Sequence, residues 1–262
     1  MNIIVLIKQV VDVELNIRVK DGALVEDGLN YVISSWDEIA IETALQIVES
    51  VGDGEVTLVT IGPDQAAEAL RKGLAMGAHK AIHVSDAGFD GSDSFAYAKA
   101  FAKILGDRDC DLIIAGKQAQ DTDAGLTAGM LAEFMDLPQA TNVTKLGQIA
   151  ADKLTLHRGG DNGSEVIELS LPAVLTVNDS LYEARLASLR GIMQAKKKPL
   201  ETLDLAGSGV DAATVGIAGR QTVIDQLVEP EARQAGQKFE GDEEETTKQV
   251  LDLLVNEAKI FA

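Results

Sequence analysis

Four short apolar runs recur through the first half of this chain: residues 3–7 (IIVLI), 56–61 (VTLVTI), 81–84 (AIHV) and 111–115 (DLIIA). Each stays apolar instead of alternating with polar residues, the pattern of a strand covered on both faces. Between them the spacing is helical. Ile39, Ala40, Thr43, Ala44 and Ile47 share one face, a second helix runs through Ala75, a third spans 92–105, and Leu126, Met130, Leu131 and Phe134 mark a fourth. Strands separated by helices of about 10 to 15 residues predict an α/β fold, a doubly wound, mostly parallel sheet. Ser35 and Glu38 stand at capping-box spacing ahead of the first helix.

The fourth run leads into the most informative stretch, 111–135 (DLIIAGKQAQDTDAGLTAGMLAEFM). Gly116 ends the strand, 117–123 is polar, and the spacing predicts a helix that begins between Asp121 and Ala124. Asp121, Thr122 and Asp123 are all competent N-caps. A loop from the C-terminal end of a parallel strand into a helix offers free backbone N–H groups and a positive dipole end, a seat for phosphate. Gly125 and Gly129 leave room for a ligand to approach the backbone. An ordinary strand-to-helix turn accounts for the same residues, since the stretch is neither a Walker A nor a G-x-G-x-x-G sequence. Both readings stand at this level.

The remainder reads differently. Residues 17–19 and 23–25 flank an Asp-Gly turn as a small hairpin. Residues 143–149, 153–158 and 165–169 alternate and are separated by turn residues, GGDNG at 159–163 among them, which predicts an antiparallel ribbon. Another buried strand follows at 171–177 (LPAVLTV). Residues 182–199 are irregular and basic. Residues 200–240 carry scattered apolar side chains with no core of their own, which suggests an arm that packs on another chain. An amphipathic helix over about 242–259 closes the sequence, with Val250, Leu253, Leu254 and Ile260 available for burial. The expected division is therefore an α/β domain over 1–199, with the segment 182–198 in it, and an arm over 200–262.

A formal net charge of -19 argues against nucleic acid or an anionic membrane surface as partner. No apolar run approaches the length of a membrane span, so membrane insertion is not expected. Cys110 is the only cysteine, which excludes an intrachain disulfide or a thiolate metal cage. His79, His83 and His157 are too scattered for a histidine-rich metal site and suit ordinary polar roles. No nucleophile elbow, H-E-x-x-H or Cys-x-x-Cys occurs, and no catalytic or metal-binding set emerges. The first apolar run begins beside Met1, leaving no signal or transit peptide to read, and the expected location is the bacterial cytoplasm.

Lys196, Lys197 and Lys198 form the only basic cluster of an acidic chain. They suit a solvated helix end, where cations meet the dipole. With Leu186, Leu189, Ile192 and Met193 just ahead of them, they also suit a docking patch, apolar at its centre and basic at its rim. Trp36, the only tryptophan, stands at a helix start near the C-terminal edge of the sheet. That is a common core position and also the edge where open α/β sheets bind ligands.

Taken together, these pieces resemble the beta (small) subunit of electron transfer flavoprotein over most of the chain. The resemblance is carried by 3–10 (IIVLIKQV), the 16–19 hairpin (NIRV), 38–42 (EIAIE) and 73–78 (GLAMGA). It continues in 116–119 (GKQA) with Asp121 and Asp123, in 171–174 (LPAV), and in 185–198 (RLASLRGIMQAKKK). It implies a Rossmann-like domain in a heterodimer whose alpha subunit holds most of the FAD. In such a dimer this chain binds a structural AMP. Carried over by position, the AMP contacts are Leu6, Ser34, Ser35, Trp36, Asp37, Ile61, Gln118, Asp121, Thr122, Asp123, Ala124, Gly125, Leu126, Thr127 and Gly129. Relatives often have Asn-Pro-aromatic where this chain has Ser34, Ser35 and Trp36. Val13 aligns with a flavin-side tyrosine of some relatives, so that stacking role does not transfer, and Trp36 is the aromatic on the flavin side. The segment 182–198 corresponds to a recognition loop that docks a dehydrogenase electron donor, with Leu189 at the anchor position. The implied function is electron carriage without bond-making chemistry. The alternative within the same family is a flavin-bifurcating complex with a second FAD in place of AMP.

Overall fold

A computed structural model describes residues 1–15, 17–231 and 235–260 of the chain. In chain order the strands and first helices are β1 (Asn2–Leu6), β2 (Gln9–Val11), β3 (Val19–Lys20), β4 (Ala23–Leu24), β5 (Tyr31–Ile33), α1 (Ser35–Val51), β6 (Glu55–Ile61), α2 (Ala67–Met76) and β7 (Lys80–Val84). They continue as α3 (Ser94–Leu105), β8 (Leu112–Gly116), α4 (Thr127–Phe134), β9 (Gln139–Ile149), β10 (Lys153–Gly160), β11 (Gly163–Ser170) and β12 (Ala173–Val177). Last come α5 (Leu189–Ala195), β13 (Leu200–Leu203), α6 (Leu205–Ser208), α7 (Gly216–Gly219) and α8 (Glu243–Asp252). Nine strands form one sheet in the order β11-β10-β9-β12-β8-β1-β6-β7-β13. Seven of them, from β9 to β13 across the sheet, run parallel to their neighbours, and β10 and β11 add the antiparallel ribbon. The doubly wound α/β expectation holds.

Strand geometry sends successive side chains to opposite faces. Ile3 and Val5 enter one buried cluster with Ile41, Leu45, Leu70 and Leu74 from α1 and α2. Ile4 and Leu6 enter the other with Phe101, Ile104 and Leu131 from α3 and α4. From β1 the chain steps through β6 to β7 and then returns past both to β8, on the other side of β1. That reversal makes the C-terminal ends of β1 and β8 the switch point of the sheet, where loops diverge to opposite faces and leave a crevice.

The 16–19 hairpin forms as β3 and β4, with Asp21 and Gly22 both at positive φ, as a tight two-residue turn requires. Asn16 lies outside the described residues. Other expectations need correction. Helix α1 begins at Ser35 with Ser34 at the N-cap, and the Ser34 side chain does not cap it, so the Ser35–Glu38 capping box does not form. Helix α4 begins at Thr127, several residues later than the spacing suggests. The irregular segment 182–198 contains a short helix, α5, over its second half.

The largest correction concerns residues 200–226. β13 is not part of an arm; it pairs in parallel with β7 and forms the ninth strand of the sheet. Val210 and Val215 fill the α3 side of the core. Arg108 holds Glu201 through two bonds of 3.0 Å, and Asp86 accepts from Leu205 N. Asp93 Oδ2 accepts from Gln221 N, Thr222 N and Thr222 Oγ1 at 2.8 to 2.9 Å. Burial opposes the Asp93 carboxylate, but these bonds and one from Ala96 N pull its pKa down to about 2. The chain divides after Gln226, not at 199. The unit that begins at Leu227 carries α8, capped by Asp242, whose Oδ1 accepts from Glu244 N and Glu245 N. A π-helical turn at Leu253–Glu257 follows. Val250 and Ile260 are exposed there, while Leu253 and Leu254 are half-buried.

A chain ending at Gln226 should keep a single cooperative urea transition. A chain ending at Pro199 exposes the β7 edge and removes Val210 and Val215 from the core. It should lose at least about 3 kcal/mol of stability, measured by urea unfolding followed by circular dichroism.

Candidate functional site

The crevice is built around one buried carboxylate. Asp37, in the first turn of α1, accepts from Lys8 N at 2.8 Å through Oδ2 and from Gly116 N at 3.0 Å through Oδ1. One side chain thus ties the ends of β1 and β8 together at the switch point. Gly116 is required by the close approach: a Cβ there would stand 2.5 Å from Trp36 Cβ and 2.6 Å from Asp37 Oδ1. Burial raises the Asp37 pKa to about 7, outweighing the two amide bonds and the Lys8 charge that favour the anion.

The loop after β8 closes on itself. Ala119 N donates to Ala124 O, Asp123 N donates to Ala119 O, and Asp123 takes a positive φ of 52°. Asp121 accepts both bonds of the Lys8 ammonium at 2.7 and 2.8 Å, Thr122 Oγ1 donates to Asp121, and Asp123 Oδ1 accepts from Gln118 Nε2. Every proposed cap is therefore engaged elsewhere, which is why α4 starts late. Gly125 serves the same closure, because a Cβ there would stand 2.9 Å from Lys117 O. The loop itself therefore needs glycine at this position. Gln120 joins the loop to α1: its Oε1 accepts from Ser35 N at 3.1 Å and its N donates to Ser34 Oγ at 3.4 Å.

The residues named from sequence therefore gather at one place but differ in what they have free. Leu6 is buried beneath the crevice and Ile61 is half-buried at the end of β6. Ser34 is fully buried; its N donates to Lys8 O, and its carbonyl accepts from Asp37 N and Glu38 N. The backbone of Ser34 and the carboxylate of Asp37 are engaged in holding the crevice together. Asp121 through Leu126 are exposed. The opening amides of α4, at Thr127, Ala128 and Gly129, have no acceptor within the helix, and no side chain caps them. Uncapped amides at a helix start fit a phosphate group, and the Lys8 ammonium offsets the charge of Asp121 in the loop ahead of them. Trp36 is half-buried with the Lys117 ammonium 5.7 Å from its ring centre, and Val13 is exposed. His79 Nδ1 accepts from Val56 N at 3.0 Å, the ordinary polar role expected of it.

A second surface lies on the face carrying α1 and α2. Leu186 and Leu189 are 94% and 83% exposed, Met193 72% and Ile192 47%. Lys196 and Lys197 are exposed beside them. Lys198 departs from the patch: its Nζ donates to Leu74 O at 2.8 Å and Ala78 O at 2.6 Å, closing the C-terminal end of α2. Ser188 caps α5 through Gly191 N at 3.0 Å. Arg185 reaches two carboxylates of α1, Glu42 and Glu49, which sequence reasoning missed. Burial works against the Glu42 carboxylate, but bonds from Arg185 and Gln46 hold its pKa below the usual range. A glutamate among the buried residues 40–45 of a helix was the available signal.

An open, mostly parallel sheet that reverses its strand order at β1 and β8, with helices on both faces, defines the doubly wound α/β class of fold. The family model for the electron transfer flavoprotein domain matches residues 21–208. A Mycobacterium bovis protein named electron transfer flavoprotein subunit beta is 39% identical over 261 residues, with 97% of each chain covered. Proteins of the same name from Thermoanaerobacterium thermosaccharolyticum (97% of this chain, 98% of the relative) and Bacillus subtilis (the whole of both chains) are 37% and 35% identical. The chain belongs to the electron transfer flavoprotein beta-subunit family. Among the described residues no helix is long and apolar enough to cross a membrane, and no three metal-ligating side chains cluster.

The Asp37 carboxyl gives a pH signature. Its folded pKa of about 7 lies above the 3.8 of an unperturbed aspartate, so between those values the folded chain holds a proton that the unfolded chain releases. Its contribution is complete below pH 3.8 and is lost as pH rises through about 7. The stability advantage of the natural chain over Asp37→Asn should therefore shrink by about 2–3 kcal/mol from pH 5 to pH 8, read from urea unfolding at each pH.

Proposed function

We propose that this chain is the scaffold and docking subunit of a heterodimeric FAD-containing electron carrier. It holds AMP in the switch-point crevice and passes no bond-making step through its own residues. The observation that carries the reading is the pairing, in one family member, of an uncapped helix start at the crevice with a separate exposed leucine surface. The amides of Thr127, Ala128 and Gly129 receive the phosphate, with Leu6 and Ile61 as apolar floor. Gln118, Asp121, Thr122, Asp123, Ala124, Gly125 and Leu126 form the rim, and Ser34, Ser35 and Asp37 keep the rim in place. Trp36 and Val13 face the flavin held mainly by the alpha subunit. FAD, when bound, supplies the electron uptake and release. The unit beginning at Leu227 packs on the alpha subunit. Leu186, Leu189, Ile192 and Met193, rimmed by Lys196 and Lys197, dock the dehydrogenase donor. A redox carrier has to release its partner after each transfer, and a small surface of this kind suits a transient interface. The location that follows is the bacterial cytoplasm.

Nucleotides extracted from the heterodimer with its alpha subunit should comprise one FAD and one AMP per dimer. Two FADs and no AMP would instead make this a subunit of a bifurcating complex. Leu189→Ala should raise the KM for the carrier as acceptor of a dehydrogenase about tenfold, a loss near 1.4 kcal/mol, with FAD content unchanged. Lost FAD with normal docking would reject that assignment.

A further inference from the structure

We propose that Arg185 is a positioning residue that fixes the leucine docking surface before any partner arrives, by fastening its otherwise irregular segment to two carboxylates of α1. The inference rests on the docking role given to Leu189 above. From 182 to 188 the backbone is neither helix nor strand, so no ladder of main-chain bonds holds it. Arg185 supplies the order instead. Its Nε and Nη2 donate to Glu42 at 2.7 and 2.9 Å, and its Nη1 and Nη2 donate to Glu49 at 2.6 and 3.1 Å. Its backbone N adds a further bond to Glu42 at 3.2 Å.

Glu42 and Glu49 lie seven residues apart, two turns of α1, and so present both carboxylates along one face. Glu42 is the fixed end. Its side chain is 4% exposed, and Gln46 Nε2 donates to it at 2.7 Å. A planar guanidinium that engages two carboxylates through separate forks has little freedom left, and the backbone bond at Arg185 N extends that restraint to the main chain. Around it the segment alternates: Ala184 and Ala187 pack on the core while Leu186 projects outward. Past Ser188 a second set of contacts takes over. Gly191 sits so close to α2 that a Cβ would stand 2.3 Å from Ala75 O, and Arg71 Nη1 donates to Ala195 O and Lys198 O. Leu186 and Leu189 thus stand between two fastenings. The backbone entropy of their segment is lost on folding, not on docking, which strengthens a small interface without enlarging it.

The test uses the FAD-loaded heterodimer and a dehydrogenase chosen because it reduces the natural carrier. The double variant Arg185→Met with Glu42→Gln removes the clamp without leaving a buried unpaired charge. Glu49→Gln, at an exposed carboxylate, is the milder variant should the double one fail to fold. In the double variant, amide hydrogen exchange over 182–188 should quicken about tenfold or more. KM for the carrier should rise about tenfold, with kcat at saturation and FAD content unchanged. Glu49→Gln should move both readings the same way by less, and Arg185→Lys should restore part of each. Leu189→Ala should raise KM with exchange unaltered. If Leu189→Ala raises KM but the double variant keeps natural exchange or natural KM, the clamp is overturned and the docking role survives. If Leu189→Ala leaves KM unchanged, the docking role itself falls, and the inference with it.

Discussion

The structure depends on the bond pair made by Asp37. Where the strand order reverses, β1 and β8 stay paired but the loops after them leave for opposite faces, and the amides just past the pairing need acceptors from elsewhere. Here those amides belong to Lys8 and Gly116, and one carboxylate accepts both. An unpaired buried N–H costs about 1–3 kcal/mol, so meeting two of them from a single helix start removes a large penalty at the switch point. The price is a carboxyl buried far enough that its pKa stands about 7. The same contact sets the start of α1 and leaves no space for a side chain at Gly116.

From that clamp outward, the crevice is assembled from polar groups that mostly satisfy one another. Lys8 gives its amide to Asp37 and its ammonium to Asp121, so one residue links the strand end to the loop. Gln120 ties the loop to the start of α1, and Gln118 closes on Asp123. What is left over is small in number and specific in kind. The opening amides of α4 lack a capping side chain, and Trp36 is only partly covered. The open groups of the crevice are backbone amides, and its one buried acid, Asp37, is bonded to the ends of β1 and β8.

The architecture was legible because buried parallel strands are apolar throughout, and four such runs with helical intervals admit few arrangements. The crevice could also be placed, since strand order and the polar loop after β8 both point to it. Individual roles were not legible. Asp121, Thr122 and Asp123 look like helix caps by residue type, yet each is engaged within the loop by bonds to Lys8, Asp121 and Gln118. The arm expected over 200–262 rests on scattered apolar residues between 200 and 240 with no core of their own, and Leu203, Val210 and Val215 are among them. They complete one that other elements had already built. Arg185 was recognised within a signature, but its partners lie 143 and 136 residues away in sequence, beyond any local pattern.

The placement of β13 has a mechanical consequence. The segment carrying Leu186 and Leu189 leaves the sheet at β12 and rejoins it at β13, and five interstrand steps separate those two strands, about 24 Å at ordinary strand spacing. It is a strap drawn across one face, with each end continuing into a strand. The strap therefore has no free end of its own, and a displacement of its middle has to work against the ladders to β8 and β9 at one end and to β7 at the other.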